Sequence, residues 1–192
     1  MHFALIKNKD LNILHQKFYV MKKTIILILI ILIHKCGMAQ QEINKIIFDE
    51  MADQEILLGI GNKDGLTTAP FNDWFQLEYN SYEIDKETLD KLDRNKFKTL
   101  EVEIIMGTWC SDSRREIPRF YKISDYLELD SEIIFLVGVN KEKKAGRIPI
   151  SRFEIELVPT FIFYNDGNEI GRIIESPEGS LEIDMLKIIS LM

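Results

Sequence analysis

Thr108-Trp109-Cys110-Ser111-Asp112-Ser113 joins two stretches of different periodicity, and its reading decides the fold. Before it, Leu100 to Met106 alternates and then turns continuously apolar, as a strand entering a buried sheet does. After it, Ile117, Phe120, Tyr121, Ser124 and Leu127 fall on one helical face, so Ser111 to about Leu127 reads as a helix. Ile133 to Val139 is a second buried strand. Two strands flanking one helix make a βαβ unit, whose crossover is expected to be right-handed. Cys110 therefore stands at a strand-to-helix junction.

Further along, Thr160 to Tyr164 and Glu169 to Ile174 flank Asn165-Asp166-Gly167-Asn168, a turn signal that predicts a β-hairpin. Ser180 opens a last helix, with Glu182 and Asp184 in its first turn and Leu181, Met185, Ile188 and Ile189 as its apolar stripe. Lys141 to Gly146 reads as a basic, solvated loop. Towards the N-terminus, Ile43, Ile46, Ile47 and Met51 have helical spacing, which predicts a short amphipathic helix from Gln40 to about Asp53. Glu55 to Ile60 reads as one strand. Phe71, Trp74, Phe75 and Tyr79 predict a helix packing aromatics onto the core, and Asp85 caps a short helix bearing Leu89 and Leu92.

The chain has 192 residues, 46% apolar and 29% charged, a globular composition. Its start reads as a leader. Lys22 and Lys23 are basic, Thr24 to Ile33 is almost unbroken aliphatic, and Gly37 and Ala39 are small residues placed for cleavage before Gln40. The apolar run falls short of the roughly 20 residues of a membrane-spanning helix, so a secretory signal starting at Met21 is expected, with no stable membrane anchor after cleavage. Lipidation at Cys36 is discounted because Ile33-His34-Lys35 lacks the small residue that such signals place before the cysteine. Export to the periplasm or the extracellular space follows. The leader is assigned to residues 1–39, an extension to 40–95, and the main domain to 96–192.

Loss of residues 1–39 removes six lysines and one aspartate, taking the formal net charge from −7 to −12. So acidic a domain offers nothing to nucleic acid or anionic lipid, and protein disulfides or small thiols are the expected partners. The same cut removes His2, His15, His34 and Cys36, leaving Cys110 as the only cysteine. A Ser-His-Asp triad, a Cys-His dyad and a Cys/His zinc site are thereby excluded, and neither cofactor nor metal is expected. An unpaired cysteine in an exported chain is either reactive or paired between molecules.

At a helix start, Cys110 meets unsatisfied backbone N–H groups and the positive end of the helix dipole, which favour the thiolate, the attacking form. Asp112 opposes that effect and Arg114 and Arg115 support it; the sequence leaves the balance open. Trp109 precedes the sulfur, Pro118 follows eight residues on, and Val158-Pro159-Thr160 opens a later strand. Proline inside a helix costs about 3 kcal/mol, so its position calls for a reason such as a required kink.

On Trp109, Cys110, Pro118 and Pro159, together with the hairpin-then-helix ending, the chain from about Lys96 onward resembles the thioredoxin-fold superfamily. The resemblance implies an α/β three-layer sandwich with a mixed central sheet, here with an N-terminal, mainly helical extension containing one short strand. It also implies that Pro159 is cis, and that Val158, Pro159, Thr160 and Trp109 border the substrate strand. Catalytic roles would fall to Cys110, Ser113, Trp109 and Pro159. Two positions depart from the family pattern. Ser113 replaces the resolving cysteine, and Ile104 stands where many thioredoxins carry a buried acid.

A dithiol enzyme attacks a substrate disulfide with one sulfur and expels the product with the other. This chain has only the first, while Ser113 is able to donate a hydrogen bond to a thiolate. The expectation is a monothiol exchange protein resolved by an external thiol, with isomerase-type chemistry open to it. The alternatives are a redox-inactive binding module on the same fold and a dimer bridged through Cys110; the oligomeric state is left open.

Overall fold

The strongest strand in the sequence, Leu100 to Met106, forms the middle of a five-stranded sheet. This computed structural model describes residues 21–23, which are helical, and residues 42–192. The expected signal segment and Cys36 otherwise lie outside the described residues. Within the unit Glu42–Met192 the elements are β1 (Ile46–Asp49), β2 (Gln54–Leu57), β3 (Gly59–Gly61), α1 (Lys63–Leu66), α2 (Asn72–Ser81), α3 (Lys86–Leu89), β4 (Leu100–Met106), α4 (Ser111–Leu127), β5 (Ile134–Gly138), β6 (Thr160–Asn165), β7 (Asn168–Ile174) and α5 (Leu181–Ser190).

Strand order in the sheet is β3-β5-β4-β6-β7, with β4 and β5 parallel and the other pairs antiparallel. Alternation along β4 sorts its side chains into two cores. Leu100, Val102, Ile104 and Met106 join Phe161 and Phe163 beneath Phe75 of α2, Ile117 and Phe120 of α4, and Met185 and Ile189 of α5. Ile105, Val137, Val139 and Ile162 face the other way, under Ala145, Phe153 and Val158 of the segment before β6. Each such fully buried Leu, Ile or Phe contributes about 1.5–3 kcal/mol relative to exposure. Helices thus cover one face and an irregular segment with a 3₁₀ turn at Ile150–Phe153 covers the other, giving three layers.

The C-terminal elements follow from local chemistry. Ser180 Oγ accepts from Ile183 N–H to start α5, and β6 and β7 meet through Asp166 and Gly167 at φ 48° and 75°, the left-handed pair that a two-residue hairpin turn requires. Pro118 lies inside α4, where it withholds the N–H that would otherwise bond the Arg114 carbonyl.

The N-terminal expectations need correction. No helix spans residues 42–53: β1 and β2 pair as an antiparallel hairpin, Ile46 opposite Leu57 and Asp49 opposite Gln54. The isoleucines at 43, 46 and 47 imitate helical spacing, but Ile46-Ile47-Phe48 is a run of strand-favouring side chains. Asp49 Oδ1 accepts from Ala52 N–H at 2.8 Å, and Asp53 at φ 53° closes the turn. Ile43, Ile46, Phe48 and Met51 are all exposed, so the apparent stripe is not a buried one. The single strand expected over 55–60 is two strands in different sheets, β2 and β3, broken at Gly59 with φ 91°. Residues before 96 therefore supply an edge strand of the central sheet and a helix, α2, whose Phe75 ring lies 6.0 Å from Tyr121 of α4.

Candidate functional site

The loop from β4 to α4 is tied at every residue. Gly107 N–H donates to Ser113 Oγ at 3.2 Å. Thr108 Oγ1, fully buried, accepts from Leu57 N–H at 3.1 Å, and its carbonyl accepts from Arg114 Nε at 2.6 Å. Trp109 Nε1 donates to the Val139 carbonyl at 2.8 Å, and Cys110 N–H donates to the Gly107 carbonyl at 2.9 Å. Gly107 is required by close approach, because a Cβ there would stand 2.5 Å from Trp109 Cε2. A site fixed this way loses little freedom when a substrate arrives.

Cys110 is the N-cap of α4 at φ −90° and ψ 130°, with no capping bond from its own side chain. The sulfur is half-buried against the apolar cluster of Val139, Val158 and Trp109. Its S–H donates to the Val158 carbonyl at 3.2 Å, and Asp112 Oδ2 lies 4.0 Å away. The Val158–Pro159 peptide is cis. Val158, Pro159 and Thr160 are buried, and Thr160 Oγ1 donates to the Leu157 carbonyl at 2.7 Å. Pro159 in turn accepts from Glu175 N–H at 2.7 Å. The structure thus brings Trp109, Cys110 and Val158 into one cluster, with Pro159 next in the chain.

Two expected roles are revised. Ser113 is fully buried and its Oγ serves the Gly107 N–H, so its place is in the scaffold of the loop rather than as an observed partner of the sulfur. Arg114 does not act at the sulfur either: Nη2 donates to Gln54 Oε1 at 2.8 Å, and the guanidinium lies 5.9 Å from the Trp74 ring. Arg115 takes the nearby carboxylate instead, 2.8 Å from Asp112 Oδ1. Its hydrogen bond to Glu116 holds the guanidinium above its ordinary pKa, firmly charged.

Sequence reasoning passed over Thr108, Glu116, Gln54 and Lys141. Glu116 was visible in principle, since it lies three residues after Ser113 and four before Phe120 on the buried face of α4. Lys141 Nζ stands 5.7 Å from the centroid of the Trp109 ring, a contact made through the loop read as plain solvated surface. Gln54 and Thr108 meet their partners only through the fold. Replacing Thr108 with valine leaves the buried Leu57 N–H unpaired and is expected to lower stability by about 1–3 kcal/mol. Urea unfolding measures it; a loss below about 0.5 kcal/mol, the range of an ordinary surface change, would show that the tie is dispensable.

The strand-to-helix cysteine set against the Val158–Pro159 segment, beside the ends of two neighbouring strands of a five-stranded mixed sheet, defines a thioredoxin-like fold. The chain is 24% identical over 95 residues to thioredoxin H5 of Arabidopsis thaliana, an alignment covering 50% of this chain and 75% of that protein. No family model matches. Among solved structures it is similar to Fasciola hepatica thioredoxin, with 20% identity, 50% of this chain and 85% of that chain covered, and a TM-score of 0.36. Chlamydomonas reinhardtii thioredoxin f2 gives 19% identity, 55% and 85% coverage, and a TM-score of 0.35.

Proposed function

We propose that this chain is an exported thiol–disulfide exchange protein working through a single nucleophilic cysteine, Cys110. The observation that carries the reading is the sulfur's position: at the N-cap of α4, 3.2 Å from the Val158 carbonyl, on a loop hydrogen-bonded at each residue. The thioredoxin relative supports thiol–disulfide redox chemistry in general. The Cys110 thiolate attacks one sulfur of a substrate disulfide, a mixed disulfide forms, and the other substrate sulfur leaves as a thiolate. Release then follows one of two routes. A second thiol of the substrate attacks the mixed disulfide and forms a rearranged disulfide, with no net change in oxidation state. Alternatively, one external small thiol attacks the Cys110 sulfur and expels the reduced substrate, and a second attacks the resulting adduct, regenerating Cys110 while the two small thiols leave joined as a disulfide.

The test is reaction of the full chain, in a Cys36→Ala background, with a single-cysteine peptide disulfide-linked to a small leaving thiol. A stoichiometric adduct on Cys110, discharged by reduced glutathione, is the expected result. A thiol inert to both the peptide and an alkylating agent would favour the redox-inactive binding module, and a dithiothreitol-sensitive dimer would favour bridging between chains. Export rests on the pattern of residues 21–39. The exported protein is then expected to begin at Gln40, and N-terminal sequencing that finds Met1 or Met21 on the envelope form would overturn that part.

A further inference from the structure

The carboxylate nearest the sulfur is not free. Asp112 places Oδ2 4.0 Å from Cys110 Sγ while Oδ1 pairs with Arg115 Nη2 at 2.8 Å. Arg115 is held from two other sides. Its Nε donates to Glu116 Oε1 at 2.6 Å, and Nη2 donates to Ser176 Oγ at 2.8 Å. Glu116 is only 2% exposed, and its Oε2 is the buried side-chain oxygen left without a hydrogen-bond partner among the described residues. A buried carboxylate demands a cation. Arg119 stands farther off, its Nη1 3.6 Å from Oε1, and gives its Nε to Glu78. The nearer guanidinium, Arg115, is therefore fixed by Glu116 in the pose that reaches Asp112.

Resting on the reading of Cys110 as the attacking sulfur, we propose that Arg115 is its positioning residue: Arg115 neutralises and orients Asp112, and Glu116 locks Arg115 in place. Without it an uncompensated negative charge 4.0 Å from the sulfur opposes formation of a second one. The other nearby cations are placed for different tasks. Arg114 is turned to Thr108 and Gln54, and Lys141 lies over the Trp109 ring. Ser176 extends the arrangement, because its neighbour Glu175 bonds the Pro159 carbonyl. One side chain thus bridges the sulfur's carboxylate and the loop next to the Pro159 segment.

The experiment is the rate of Cys110 alkylation by iodoacetamide at neutral pH, on the full chain in a Cys36→Ala background. Arg115→Gln is expected to slow it about five- to tenfold, and Asp112→Asn to speed it about two- to fivefold. Arg115→Lys keeps the charge and is expected to recover most of the rate. The double variant Asp112→Asn with Arg115→Gln is expected to match Asp112→Asn, since the effect runs through that carboxylate. An unchanged rate in Asp112→Asn, or a double variant as slow as Arg115→Gln, overturns the proposal. Asp112→Asn leaves the Arg115–Glu116 pair intact, so its result stands even where Arg115→Gln does not fold. Alkylation is read apart from disulfide exchange: the expected rates with no mixed disulfide would sink the exchange reading and leave this inference standing, and the reverse outcome would do the opposite.

Discussion

Ser113→Cys is expected to turn a protein that captures disulfides into one that also releases them. Residues 110 and 113 are the N-cap and the third residue of α4, and the Ser113 side chain is already buried inside the loop. A sulfur there is placed to attack a mixed disulfide on Cys110, close an intramolecular bridge and expel the reduced product. The cost is modest. Sulfur is a weak acceptor, so the Gly107 N–H now served by Ser113 Oγ at 3.2 Å loses part of its bond, about 1 kcal/mol. With dithiothreitol as reductant, the variant is expected to reduce insulin at least about tenfold faster than the parent, because product release no longer waits for an outside thiol, which then serves only to reduce the bridge between residues 110 and 113. Mass spectrometry after oxidation is expected to show a bridge between residues 110 and 113. Parent-like rates with two free thiols would mean that the serine is not what limits release.

Cys110→Ser is expected to abolish adduct formation while leaving the fold as stable or more so. Cys110 caps α4 without a side-chain bond. Serine is a favoured N-cap whose hydroxyl accepts from the first turn, an effect worth about 0.5–2 kcal/mol in other helices. Function and stability therefore move in opposite directions at one atom. A variant that melts well below the parent would assign the sulfur a structural role, and one that still acquires a disulfide-linked peptide would move the chemistry elsewhere in the chain.

The half of the chain after Leu100 was legible because each signal there is local. β4 and α4 have the bounds that their periodicity predicts, the Asn165–Asn168 turn has the torsions that its residues favour, and Ser180 caps where a serine before an acidic turn should. The N-terminal part failed for two reasons. β3 and the end of β2 are fixed by partners far along the chain, since Gly61 pairs with Leu136 and Leu57 donates to Thr108, and no window of residues 42–61 contains those partners. β1 and β2 pair with each other inside that window, and there the helical spacing of three isoleucines masked a local hairpin.

At the site, residue identities were legible and their assignments only partly so. The sulfur, Trp109 and the Val158–Pro159 segment could be named from sequence alone. Which of two adjacent arginines faces Asp112 could not, because residues 114 and 115 point about 100° apart on a helix and only the position of Gln54 and Ser176 decides their partners. Glu116 is the instructive omission. A charge at a buried-face position is expensive unless paired, and its presence among Ser113, Ile117 and Phe120 already announced a cation nearby.

Whether Cys110 captures a disulfide and then waits is tested most directly by following one adduct through time. The full chain in a Cys36→Ala background is charged with a single-cysteine peptide whose sulfur is disulfide-linked to a small leaving thiol, freed of the released thiol and excess reagent, and monitored by intact mass before and after reduced glutathione is added. The expected course is a stable one-to-one adduct on Cys110 that discharges only when the thiol arrives. An adduct that never forms, or one that resolves by itself at a comparable rate with no thiol present, would contradict it.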